Sequence, residues 1–236
     1  ADKARESFNS GYGLSAGRWS GGRRSRPCQR NTLQGAVMYF STPQWDLNLL
    51  FLINQQGHSE ILNPVMLLVS DSLFLSAFGL VASIIAMWRY KVSLTVVLGL
   101  GLTLIASSQI CDFAKKETYR VRPYHSIGGT WFHDDGTWKQ RPENVAPRSG
   151  GSSYPSGHSA NAAAAALFLY LAFRKKIVWL LPLLIGYSRI YLGKHFPSDV
   201  VAGWALGMAV ASILVPLYPA LWRRLFSLWM RYRLRV

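Results

Sequence analysis

The 236-residue chain is half hydrophobic, and its charged fraction of 16% falls below the roughly 25% usual in soluble domains. Its 26 Lys and Arg outnumber 11 Asp and Glu, giving a formal charge of +15. Most of the cations lie in the N-terminal tail, beside apolar runs or near the C-terminus. That placement argues against a nucleic-acid-binding domain and reads as membrane topology.

Residues 1–44 form a basic tail that is expected to be poorly ordered, and 45–236 form one membrane domain. The stretch from Ala1 to Arg30 is rich in Gly, Ser and Arg and lacks the apolar core of a signal peptide. It opens on Ala1 rather than Met, so it is set aside as a processed or added end. Cys28 and Cys111 have neither a disulfide framework nor zinc-ligand spacing around them.

The run 45–54 (WDLNLLFLIN) is too short to cross a bilayer and predicts an interfacial helix. Asn63-Pro64 starts a helix leading to the first span. Five apolar runs follow, at about 71–88, 92–110, 159–173, 177–192 and 200–222. Gly99, Gly101, the alanine-rich 160–166, Gly203 and Gly207 supply the small residues that let membrane helices approach closely. The expected fold is an all-α polytopic membrane bundle of five transmembrane helices with an N-terminal interfacial helix.

Arg89 and Lys91, then Arg174, Lys175 and Lys176, then Arg223, Arg224, Arg231, Arg233 and Arg235 fall on one side of a five-span bundle. The positive-inside rule makes that side cytoplasmic. The basic tail would then be outside, and a sixth span is the alternative that would bring it in.

Three polar stretches lie at the outer ends of the spans: Lys115 to Pro123, Tyr154-Pro155-Ser156-Gly157-His158, and SRIYLGKHFPSD from Ser188 to Asp199. Ionisable groups at such places are costly and mark function. Lys115, Arg122 and Arg189 repel one another unless they share an anion, and guanidinium forks match phosphate oxygens. Ser156-Gly157, just before a helix, adds a hydroxyl and outward N–H groups. His195 and Asp199 share a helical face at i,i+4, so the carboxylate can orient the imidazole as a nucleophile. His158 is suited to general acid–base work. With three cations to offset developing charge, neither metal nor cofactor is required. Lys116 and Arg120 read as interfacial anchors.

These stretches resemble the signature of the type 2 phosphatidic acid phosphatase superfamily, KxxxxxxRP, PSGH and SRxxxxxHxxxD, matched here by Lys115, Arg122 and Pro123, by Pro155 to His158, and by Ser188, Arg189, His195 and Asp199. The resemblance implies His195 as nucleophile, Asp199 as its partner and His158 as general acid. It also implies phosphate contacts from Lys115, Arg122, Ser156, Gly157, His158 and Arg189. The short architecture is similar to bacterial undecaprenyl diphosphate and phosphatidylglycerophosphate phosphatases, and lipid A phosphatases share the superfamily.

The long connection 125–153 reads as a solvated loop. His133, Asp134 and Asp135 are weak metal candidates there, and Trp131, Phe132 and Trp138 are expected at the headgroup level; a lid over the site is the alternative. His58 and Asp71 receive no role. The expected protein is an integral protein of a bacterial inner membrane with its site facing the periplasm or cell exterior. It acts on a lipid phosphate, undecaprenyl diphosphate first, and binds no nucleic acid. A phosphotransferase using the same histidine, a haloperoxidase and a non-enzymatic lipid-binding scaffold are the rivals.

Overall fold

The computed structural model describes residues 42–148 and 150–233, so Cys28 and the tail as far as residue 41 lie outside the described residues. Helix α1 (Gln44–Leu50) runs on into a π-helical stretch, Phe51–Gln56. Its amphipathicity is inverted. Trp45, Leu49 and Leu52 are exposed, whereas Asp46, Leu50 and Asn54 are buried. An apolar outer face suits the boundary between headgroups and acyl chains, as expected for an interfacial helix. The polar residues turned inward were not foreseen.

Helix α2 (Asn63–Ser70) carries Pro64 in its first turn, where the missing N–H costs nothing. Asp71 is extended and separates α2 from α3 (Ser72–Tyr90), capping the latter by accepting from the Phe74 N–H at 2.6 Å. Helix α4 (Leu94–Glu117), the short α5 (Pro123–Ser126), α6 (Gly157–Phe173), α7 (Leu180–Tyr191) and α8 (Pro197–Arg233) complete the helical set. All five apolar runs are therefore helical. Three helices are long and apolar enough to cross a bilayer: α3, α4 and the Pro197–Tyr218 part of α8. The other two are shorter, at 17 residues for α6 and 12 for α7. No residue of α3 is buried, and Leu73, Phe78, Leu80 and Trp88 are broadly exposed. An apolar surface of that extent calls for lipid rather than water as its solvent.

The core is built where α4, α6 and α8 pack on one another, with α7 against α6 and α2 against α7. Small residues set the spacing. A Cβ on Gly207 would lie 1.9 Å from the Ala160 carbonyl oxygen, and one on Gly203 would lie 2.4 Å from that of Ser156. Ala160 and Ala162 to Ala166 are buried along α6, which packs on α4 and α7 as well as α8. Gly99 approaches the Phe168 and Tyr218 rings, but Gly101 meets nothing within 4 Å, so only one of that pair is a packing glycine. The tight α6–α8 approach lays the turn before α6 on the start of α8, where the Ser156 N–H donates to the Asp199 carbonyl at 3.0 Å.

The loop expected to be merely solvated contains a hairpin, β1 (Trp131–Asp134) paired antiparallel with β2 (Thr137–Gln140). Its two-residue turn is Asp135-Gly136, both at positive φ (48° and 76°), the backbone that a tight hairpin demands. Asp134 pairs with Lys139 at 2.9 Å, and among the described residues no group of three or more His, Cys, Asp or Glu gathers as a metal site. Trp131 stacks on His58 at 4.4 Å, and Trp138 meets His58 and Tyr191 edge-on. Asn54 fastens the hairpin to the bundle, accepting from the Trp131 N–H and donating to the Trp131 and Tyr191 carbonyls.

Because backbone oxygen opposes it, Gly207→Ala should destabilise the detergent-solubilised protein by about 1–3 kcal/mol in thermal unfolding. Gly101→Ala, with open space around it, should stay within about 0.5 kcal/mol of the parent.

Candidate active site

The site gathers at one end of the bundle: the C-termini of α4 and α7, the N-termini of α6 and α8, and the loop 192–196. Lys115 occupies the last turn of α4, 3.3 Å from Asp112. Its Nζ lies 3.4 Å from where a Cβ on Gly157 would stand, so it sits against the start of α6. Arg122 directly precedes α5 and is half-buried; its buried Nε has no hydrogen-bond partner among the described residues. Arg189, in the last turn of α7, is buried; its Nη1 donates to the Ser70 hydroxyl and, at 3.4 Å, to the Ser70 carbonyl, while its Nε likewise lacks a partner. Arg122 and Arg189 lie within each other's field.

Lys194 joins them. Burial holds its ammonium below the ordinary lysine range, Arg189 and Arg122 add to the fall, and Asp71 opposes it. Sequence reasoning missed Lys194, although it immediately precedes His195 in the quoted stretch. His158, on the first turn of α6, lies in the field of Arg189, His195, Lys194 and Lys115. Ser156 is buried, and its hydroxyl accepts from Ser159 at 2.9 Å. The fold thus brings Lys115, Arg122, Ser156, Gly157, His158, Arg189, His195 and Asp199 to one end of the bundle.

His195 is buried, and its Nδ1 stands 2.7 Å from the Ser153 carbonyl. A carbonyl only accepts, so Nδ1 carries the proton and Nε2 keeps its lone pair. The Asp199 carboxylate is 3.8 Å from Nδ1, too far for a hydrogen bond and an ion pair only when the ring is protonated. The expected orienting group is therefore supplemented by a backbone oxygen that has no sequence signature. Burial pushes the His195 imidazole down to about 4; Asp199 resists the fall, and Arg189 and Arg122 add to it.

Asp199 spends its oxygens elsewhere. One receives Arg120 at 2.6 Å and the other the Phe196 N–H at 2.9 Å. Arg120, expected as an interfacial anchor, is only 4% exposed. Its second Nη reaches Asp46 of α1 at 2.6 Å, and its guanidinium lies 3.9 Å over the Phe196 ring. Asp46 also accepts from the Ser198 N–H at 2.8 Å and the Ser198 hydroxyl at 2.5 Å. A cation at a snorkelling anchor would keep its head in water; this one is desolvated between two carboxylates that themselves have no access to solvent.

Removing that cation strands two buried charges. Arg120→Ala should cost about 3–5 kcal/mol of stability in denaturant or thermal unfolding, and a loss under 1 kcal/mol would contradict the network. Histidine-labelled protein followed by NMR should show His195 neutral at pH 6 and titrating near 4. Any reaction that needs a free Nε2 is then supported above that pH and lost as pH falls through it. A midpoint at the ordinary 6.5 would contradict the buried tautomer.

The described geometry can be set beside known proteins. The chain is 32% identical over 136 residues to the lipid A 4'-phosphatase of Bacteroides thetaiotaomicron, covering 51% of this chain and 52% of that one. It is 31% identical over 124 residues to the undecaprenyl-diphosphatase of Sulfolobus acidocaldarius, covering 49% and 54%. The chain thus spans about half the length of these curated relatives. The crystal structure of Aquifex aeolicus LpxE shares the fold, with a TM-score of 0.57 at 23% identity over 76% of this chain and 99% of that one. The family model described as the PAP2 superfamily matches residues 96–223, more than half of the chain. That stretch runs from α4 into α8 and holds all the residues of the predicted cradle, and on it the chain belongs to the PAP2 superfamily.

Proposed function

We propose that the protein is a membrane lipid phosphatase that works through a phosphohistidine on His195. The observation that carries this reading is the hydrogen bond from His195 Nδ1 to the Ser153 carbonyl, at 2.7 Å, which leaves Nε2 as the nitrogen with a lone pair. Nε2 attacks phosphorus in line; the N–P bond forms as the bond to the leaving oxygen breaks. His158 gives its proton to that oxygen, then takes one from the water that cleaves the phosphohistidine and releases inorganic phosphate. A bound dianion offsets the surrounding cations and so favours the protonated form of His158 before the first step.

Lys115, Arg122, Arg189 and Lys194 supply the charge that phosphoryl transfer needs. The buried Nε atoms of Arg122 and Arg189 have no partner among the described residues, a donor pattern suited to phosphate oxygens. The cradle is held from several helices at once, so its donors are oriented before substrate arrives.

The substrate is a lipid phosphate or diphosphate reached from the bilayer. Arg89, Lys91 and the 174–176 cluster lie at the far ends of the helices from the cradle, so the positive-inside rule directs the site to the periplasm. Undecaprenyl diphosphate is the first lipid to test, and one relative is named for that activity. Phosphatidylglycerophosphate and lipid A are the alternatives, as is transfer of the phosphoryl group to a lipid acceptor.

Purified protein offered undecaprenyl diphosphate, phosphatidylglycerophosphate, phosphatidate and lipid A should release phosphate from at least one of them, and EDTA should leave the rate unchanged. His195→Ala should lower that rate by about a thousandfold or more while the thermal midpoint holds. Rapid quenching with terminally labelled substrate should trap acid-labile label on His195. Full activity in His195→Ala would sink the reading.

A further inference from the structure

Helix α1 and its π-helical extension meet the segment that carries His195 at three successive points. Asp46, Leu50 and Asn54 recur at every fourth residue, and all three are fully buried. Asp46 accepts from the Ser198 N–H at 2.8 Å and from Arg120, which holds Asp199 through its other Nη. Leu50 packs in one cluster with Ile190, Phe196 and Val200. Asn54 donates to the Tyr191 carbonyl at 2.6 Å. One helical face thus grips residues 190–200 on both sides of His195.

The other face is apolar and open. Trp45, Leu49 and Leu52 are 51%, 41% and 54% exposed. Exposed apolar residues continue along the chain through Val65 and Leu68 of α2 into α3, which buries no residue and is long enough to span. Continuity with that lipid-facing helix makes the bilayer the occupant of the α1 face. The helix cannot keep its place unaided, since at seven residues it is far below the length at which a helix persists in water. Leu50 is the one apolar residue among the three that grip the His195 segment. Burial of Trp45, Leu49 and Leu52 in lipid supplies the apolar stabilisation that this inner face lacks.

Resting on the phosphatase reading, we infer that α1 is a bilayer-seated positioning element: lipid holds its apolar face, and Asp46, Leu50 and Asn54 hold the His195 segment in its reactive geometry. The rate then depends on the membrane itself as well as on the substrate. When α1 lifts, Arg120 loses one carboxylate, the Ser198 N–H loses its acceptor and Phe196 loses the Leu50 side chain. The loop between α7 and α8 is then free to carry His195 away from the Ser153 carbonyl. The chemical step is unchanged; what falls is the fraction of molecules whose Nε2 is aimed at phosphorus. Capture of the lipid tail would be a different role, because it acts on substrate binding and only on substrates that have a tail.

The test combines Trp45→Asn, Leu49→Asn and Leu52→Asn in lipid nanodiscs and follows phosphate release from dioleoyl phosphatidate and from water-soluble dibutyryl phosphatidate. On both esters kcat should fall about tenfold or more while KM stays within about twofold. The apolar set Trp45→Phe, Leu49→Ile and Leu52→Ile should keep the wild-type rate. A loss confined to the dioleoyl ester and expressed in KM, or no loss at all, would overturn the coupling. A rate that rises with the number of protein copies per nanodisc would put a second chain on this face and overturn the bilayer as its occupant. If the triple variant does not fold, Leu52→Asn alone should lower kcat about threefold or more. A second arm is independent of turnover. In histidine-labelled protein the wild type should show one His195 tautomer, with its proton on Nδ1, and the triple Asn variant a mixture with the Nε2-protonated form. That mixture without phosphate release from any lipid would retain the coupling and sink the phosphatase reading. Phosphate release with equal rates and a single tautomer would do the reverse.

Discussion

A guanidinium buried between two carboxylates organises this end of the molecule. Arg120 joins Asp46 of α1 to Asp199 of α8, with Ser198 bonded to Arg120 and Asp46. None of these charges has water to fall back on, so each depends on the others for solvation. The consequence for the site is positional. With Asp199 fixed through Arg120 and through the Phe196 N–H, the loop that carries His195 is fixed at the start of α8. The carboxylate is left 3.8 Å from the imidazole, too far for a hydrogen bond, and the Ser153 carbonyl decides which nitrogen keeps its proton.

A second layer has the opposite character. Lys115, Arg122, Arg189 and Lys194 converge with few carboxylates near them, Asp112 and Asp71 being the ones in contact or in field. Like charges held together by a rigid bundle raise the local potential and favour a bound anion. The helices can hold them because α6 and α8 touch backbone to backbone at Gly203 and Gly207. Membrane helices gain little from apolar contact with one another, so this closeness, with the hydrogen bonds at its ends, keeps the cations from relaxing apart.

Much of this was legible in the sequence because it is local. Apolar runs of near-spanning length marked the helices, and small residues marked the α6–α8 seam. Three short motifs at span ends marked the cations and histidines that meet. What escaped depends on long-range partners. Nothing within reach of Arg120 along the chain tells it from a snorkelling anchor; its partners are Asp46 and Asp199, 74 and 79 residues away. Asp46 and Asn54 lie in a segment whose apolar residues suggested only a surface helix, and their inward turn appears once α1 is seen against α8. The Ser153 carbonyl is a backbone atom, which any residue would supply. The hairpin was the exception, since Asp135-Gly136 between aromatic residues is a local turn signal that the length of the loop obscured.

The most direct test of the central claim is an experimental structure of the protein with orthovanadate, which adopts the five-coordinate geometry of phosphoryl transfer. The account predicts vanadium bonded to His195 Nε2, the Nδ1 hydrogen bond to Ser153 intact, and equatorial oxygens met by Lys115, Arg122 and Arg189. Vanadate bound away from His195, or His195 turned so that Nδ1 faces the anion, would contradict it.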